Sequence, residues 1–148
     1  MSWVIDASVA VLWFVPSPLS PTALALLDDG APLMAPDLIV VEVANVLWKR
    51  ERYAGTDALD IAGAVAVLTG GALRLRLAAG QLPVAIDMAR RVGRSVAECL
   101  YVALAVDEDA TLVTADRRLV DRLRPTLYGR RVRLLDDLAT GEGPGGRP

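Results

Sequence analysis

The stretch Trp3-Val4-Ile5-Asp6-Ala7-Ser8-Val9 sets one bare carboxylate in an apolar run; Asp6 is the only charged residue between Trp3 and Val15. The β-branched pair Val4-Ile5 predicts a short buried strand with Asp6 at its carboxyl end. In an open α/β sheet, ligands gather at the carboxyl ends of parallel strands. An isolated acid is costly to bury unless it is protonated, paired or bound to a cation. What meets Asp6 is therefore the question the rest of the chain has to answer.

Three other acids stand in the same predicament. Thr111-Leu112-Val113-Thr114 predicts a second buried strand, with Ala115-Asp116 at its end. Glu42 is the only charge in Leu38–Trp48, and Glu98 the only charge in Val96–Val106. Both segments are apolar nearly all round, the pattern of buried helices. Charged side chains are almost never fully buried unless paired, and these apolar runs contain no basic residue to pair with them. A shared Mg²⁺ or Mn²⁺ removes the difficulty, because such ions take oxygen ligands. Asn45, three residues after Glu42, shares its helix face, and Ser8 and Thr114 supply hydroxyls beside the two strand-end acids.

Between these landmarks the chain alternates strand and helix. Ser20-Pro21 predicts a helix start, ending near Asp28-Asp29-Gly30. A brief strand is expected at Leu33–Ala35 and a long helix from Asp37 to about Tyr53, ended by Gly55. Thr56-Asp57 reads as the cap of the next helix, through Leu68. Leu73–Leu77 alternates as a strand with one wet face. Helices follow at Gln81–Val92, at Val96–Val106 with Ser95 as its cap, and at Arg117–Leu123, then a strand at Val132–Leu135. This pattern predicts a three-layer α/β/α domain around a largely parallel sheet. One domain is expected over residues 1–138, with a flexible Gly- and Pro-rich tail over 139–148.

Composition narrows the chemistry. The chain has 148 residues, no histidine and a single cysteine, Cys99. That excludes histidine bases and triads, and it leaves too few ligands for a structural zinc site. A two-imidazole cleavage through a ribose 2′-hydroxyl is excluded with them, so phosphodiester hydrolysis here would leave 5′-phosphate and 3′-hydroxyl ends. No apolar run is long enough for a membrane span. The lone cysteine and the absence of a basic leader point to the cytoplasm. The net charge of −2 hides an asymmetry: residues 1–72 carry three basic and eight acidic side chains, residues 73–148 thirteen and ten. Nearly all the bases are arginines, whose forks suit phosphate. Arg90, Arg91, Arg94, Arg117 and Arg118, with Arg122 and Arg124, are candidate phosphate contacts.

Val4-Ile5-Asp6-Ala7-Ser8-Val9, Pro36-Asp37-Leu38 with Glu42-Val43-Ala44-Asn45, Tyr101–Ala105, and Leu112-Val113-Thr114-Ala115-Asp116-Arg117-Arg118-Leu119 resemble the successive motifs of PIN domains. They are most similar to the VapC toxins of type II toxin–antitoxin modules, in order and spacing, to about residue 138. The resemblance implies that Asp6, Glu42 and Asp116 are catalytic, metal-binding acids and that Thr114 and Asp116 form the family's threonine–aspartate motif. It implies an Mg²⁺- or Mn²⁺-dependent endoribonuclease, a homodimer, and a cognate VapB-like antitoxin whose C-terminal segment covers the acidic site. One position departs: where the family commonly has Tyr-Asp-Ala, this chain has Ala97-Glu98-Cys99. Glu98 keeps the charge as the fourth metal-binding acid but adds a methylene.

Two other classes compete. A metal-dependent phosphatase or phosphotransfer domain also places acids at strand ends. Against it, Asp6-Ala7-Ser8 lacks the second aspartate of a haloacid-dehalogenase motif, and the only lysine is Lys49, far from the late strand end where a receiver domain needs one. A catalytically weakened PIN-like fold, acting only as a binding module, is the other. The apolar helix through Leu59–Leu68, with the helix before it, is offered as an antitoxin groove or dimer contact.

Overall fold

The structure, a computed structural model, describes residues 1–141. Its centre is β1 (Trp3–Ile5), buried on both sides, which pairs in parallel with β2 (Leu33–Pro36) and β4 (Thr111–Thr114). The edge strands β3 (Arg74–Arg76) and β5 (Val132–Leu134) complete a parallel sheet of order β3-β2-β1-β4-β5. The chain builds outward from β1 to β3 and then returns to β1's other side with β4. The switch point therefore lies between β1 and β4, where a crevice opens at the carboxyl ends of the strands. Asp6 and Asp116 follow those two strands directly.

Among the described residues eight α-helices clothe the sheet in a three-layer α/β/α arrangement: α1 (Ala7–Ala10), α2 (Ser20–Asp28), α3 (Leu38–Tyr53), α4 (Ile61–Thr69), α5 (Leu82–Val92), α6 (Val96–Asp107), α7 (Arg117–Leu123) and α8 (Leu135–Ala139). Helix α6 is buried continuously from Cys99 to Ala105 and packs on β1, β2 and β4. Such positions have little room to relax; Leu104→Ala is expected to cost about 2–5 kcal/mol. Its start is fixed by Ser95, whose hydroxyl accepts the Glu98 amide at 3.1 Å. Gly93, left-handed at φ +69°, ends α5 and turns the chain so that Arg94 stands at the mouth of α6.

Several expectations need correction. Helix α3 is not buried all round: Ile39, Val43 and Leu47 face the core, while Val41 and Trp48 are 72% and 48% exposed. Its apolar outer face is surface. Helix α4 begins at Ile61, capped by Asp60 through the Gly63 amide at 2.8 Å, rather than at Thr56-Asp57. Thr56 instead donates its hydroxyl to the Arg50 carbonyl and closes off α3. Helices α1 and α8 were not anticipated. Residues 142–148 of the expected tail lie outside the described residues. The acidic run at the end of α6 is paired at the surface: Glu108 with Arg76, Asp109 with Arg131, and Asp107 accepting from Gln81.

Candidate active site

Asp6 occupies the N-cap position of α1 yet makes no side-chain cap. Its Oδ2 instead receives the hydroxyls of Thr114 at 2.6 Å and Ser8 at 2.9 Å. Each hydroxyl has a single proton, and both are committed to the same carboxylate oxygen. Their own oxygens accept backbone amides: Asp116 N–H to Thr114 at 3.0 Å, and Ala115 N–H to Ser8 at 3.0 Å. Thr114, with no exposed surface, therefore ties the two strand ends together. The Asp6 carboxyl is nevertheless pushed above the usual carboxylate range. Burial is the main cause, the hydroxyls and the Ala7 amide oppose it, and the charge of Asp116 adds to it.

Glu42 projects from α3 into the same crevice and accepts the Tyr101 hydroxyl at 2.6 Å. Its carboxyl is also raised, by burial first, against the Tyr101 hydrogen bond, with Asp6 and Glu98 adding repulsion. Burial beside that carboxylate pushes the Tyr101 phenol upward as well, so it remains a donor. Tyr101 is a contributor that sequence reading left without a role; its signal was a buried phenol, which needs a hydrogen-bond partner.

The remaining two acids are arranged differently. Asp116 caps α7, its Oδ1 accepting the Arg118 amide at 2.9 Å and the Leu119 amide at 3.3 Å. Its Oδ2 receives Arg94 Nη2 at 3.1 Å. Both oxygens of Glu98 lie on Arg94, at 2.7 Å from Nε and 2.9 Å from Nη2. A base is thus present after all, immediately before the apolar run of α6. Arg94 faces the acids, not open solvent.

Asp6, Glu42, Glu98 and Asp116, with Asn45 and Arg50, line one cleft of about 490 Å³. Arg50, two turns beyond Glu42 on α3, went unnoticed in the sequence, although its spacing puts it on the same face. The donor set, carboxylate oxygens alone, suits a hard divalent ion. Among the described residues no three acids converge as they lie into a group that would hold an ion, two of the four being drawn onto Arg94. The other candidate arginines are dispersed. Arg91 pairs with Asp87 and Arg117 with Asp136, Arg90 is exposed on α5, and Arg118 and Arg122 line a second cleft that also reaches Arg94.

Comparison with known proteins identifies relatives of this fold. The PIN domain family matches residues 3–124. The chain belongs to the PIN-domain family. It is 32% identical over 124 residues to Ribonuclease VapC3 of Pyrobaculum aerophilum, covering 82% of this chain and 95% of that one. The PIN-domain fold is shared with the crystal structure of PAE2754 from the same organism, at a TM-score of 0.67 and 20% identity, covering 95% and 98% of the two chains. It is shared also with Mycobacterium tuberculosis VapC20, a sarcin-ricin loop cleaving toxin, at 0.61 and 17%, covering 99% and 100%. The VapC-like resemblance read from the motifs stands with these relatives.

Proposed function

We propose that this PIN domain is a VapC-like toxin: an endoribonuclease that hydrolyses RNA phosphodiester bonds with Mg²⁺ or Mn²⁺ in the cytoplasm. The observation that carries the reading is Asp6, a strand-end carboxylate not spent on capping its helix and gripped by two hydroxyls, across a cleft from three more acids. Asp6 and Glu42 would hold the ion, with Asp116 and Glu98 completing the set. When bound, the ion lowers the pKa of a water so that it can attack phosphorus. The chain's own part is orientation. Ser8 and Thr114 fix the Asp6 carboxylate, Tyr101 fixes Glu42, and Asn45 and Arg50 offer polar contacts on the cleft wall. Arg90, Arg91, Arg117 and Arg118 would meet the RNA backbone, which gives a steep salt dependence.

A separate apolar groove supplies the partner surface. Phe14, Leu47, Leu59, Ala64 and Val67 line a groove of about 360 Å³ where α3 and α4 meet. The exposed Trp48 and Tyr53 of α3 add apolar surface. An amphipathic helix of a VapB-like antitoxin, or the second copy of a homodimer, would cover it. A folded Leu59→Asp, Val65→Asp variant is expected to lose antitoxin binding or dimerisation; retention of both contradicts this surface.

The direct test is incubation of antitoxin-free protein with total cellular RNA and MnCl₂ or MgCl₂. Discrete fragments that disappear with EDTA and with Asp6→Ala support the reading. Undiminished cleavage in either control, or no cleavage by folded protein with either ion, contradicts it.

A further inference from the structure

Arg94 makes three hydrogen bonds to Glu98 and Asp116, more than any other base makes to acids among the described residues. It stands where a cation between those two carboxylates would stand. The three side chains are 23%, 33% and 34% exposed, so the cluster is partly desolvated yet open to exchange with solvent. Arginine is more weakly hydrated than an ammonium, and its fork matches carboxylates side-on. Glu98 meets it through both oxygens, a geometry that the longer side chain reaches from one helical turn away at the start of α6. Asp6 and Glu42, by contrast, are steadied by neutral hydroxyls, which leave their negative charge uncompensated. On the far side of Arg94 lies the second cleft, of about 490 Å³, lined by Gly93, Arg118, Asp121 and Arg122. Arg122 is anchored there by its Nε donating to the Val92 carbonyl at 2.5 Å.

We propose that Arg94 is an exchangeable internal counter-ion: a divalent ion entering between Glu98 and Asp116 displaces it, and the freed guanidinium joins Arg118 and Arg122 as a phosphate contact. The inference rests on the metal-nuclease reading and adds to it an order of events. One half of the acid site is open to an ion at once; the other is closed by the chain's own charge until an ion competes for it. Because the same side chain would leave the acids and meet the phosphate, ion and RNA should favour one another's binding reciprocally.

The test reads binding and not cleavage. MnCl₂ is titrated into metal-free wild type and Arg94→Met in a calorimeter, and MgCl₂ into the ¹⁵N-labelled wild type while the Arg94 Nε–H resonance is followed by NMR. Removing the competing charge is expected to tighten Mn²⁺ binding by roughly tenfold, within the usual span of couplings between sites. Mg²⁺ is expected to shift the Arg94 Nε–H signal and speed its exchange with water. Equal or weaker Mn²⁺ binding by a folded Arg94→Met overturns the exchange and leaves the nuclease reading standing. Mg²⁺ binding that moves the amides around Asp6 but not the Arg94 signal does the same, and needs no variant to fold. Absence of binding to either protein overturns both.

Discussion

The two halves of the acid cleft solve one electrostatic problem in different ways. On the β1 side, Asp6 and Glu42 are oriented by Ser8, Thr114 and Tyr101, neutral donors that fix direction without cancelling charge. On the α6 side, Glu98 and Asp116 share the single positive charge of Arg94. Repulsion and burial accumulate in the first half, and both of its carboxyls are raised. A carboxylate held by hydroxyls remains available to a cation; one held by an arginine fork must first be released. The contrast separates carboxylates met only by neutral donors from carboxylates held by a base, Asp116 being both an N-cap and an ion-pair partner.

The sharpest way to break that contrast is to remove one acid from each half. Asp6→Ala is expected to bring RNA cleavage down to background, whereas Glu98→Ala should leave a measurable rate under saturating Mn²⁺. Equal losses would mean that the two halves act as one. Next in size is Thr114→Val, which withdraws a hydroxyl from Asp6 and strands the Asp116 amide. Loss of a group that orients a metal ligand costs about 10–100-fold in activity or ion affinity, and the buried unpaired amide adds about 1–3 kcal/mol of instability. Activity assays and urea melts measure the two effects separately. Tyr101→Phe removes a single hydrogen bond to Glu42 and is expected to destabilise by about 1–3 kcal/mol. A melt unchanged by that substitution would deny Tyr101 its place beside Glu42.

The smallest effect is the most diagnostic of charge. Because the Asp6 and Glu42 carboxyls are raised on folding, their neutral forms favour the folded state. That contribution is complete below the ordinary carboxylate values of 3.8 and 4.5 and is lost as pH rises through the raised ones. Metal-free Asp6→Asn, which keeps acceptor geometry without the charge, should therefore melt a few degrees above wild type at neutral pH. The gap should shrink as the pH falls toward 3.8. A gap that is constant with pH would show that Asp6 carries no electrostatic burden in the folded protein.

Much of this was readable before the fold was known, for identifiable reasons. Asp6 and Asp116 stood out because strand ends are marked by β-branched runs, and a charge at such an end has few alternatives. Glu42 and Glu98 stood out by isolation in apolar helices. What local pattern could not reveal were choices made by long-range contacts. Thr56-Asp57 and Asp60 are equally good helix starts in sequence; the structure chooses Asp60, while the Thr56 hydroxyl closes α3 and the Glu51 carboxylate takes the Leu59 amide. Val41 and Trp48 read as core because hydropathy alone does not say which face of an apolar helix is turned to the core and which to the surface. Arg94 lies four residues before Glu98 but ahead of the Ser95 cap, outside α6, and in the sequence it stood only among the candidate phosphate contacts. Its bond to Asp116, 22 residues away, depends on α6 and α7 opening at the same sheet edge.

The central claim, that these acids direct water at phosphorus without any imidazole, is tested most directly by the ends of the RNA fragments. Cleavage carried out in H₂¹⁸O with Mn²⁺ should place ¹⁸O on 5′-phosphate ends, opposite 3′-hydroxyls, as mass spectrometry of the fragments would read. Fragments ending in 2′,3′-cyclic phosphate, with no ¹⁸O incorporated at cleavage, would contradict it and show that the ribose hydroxyl is the nucleophile.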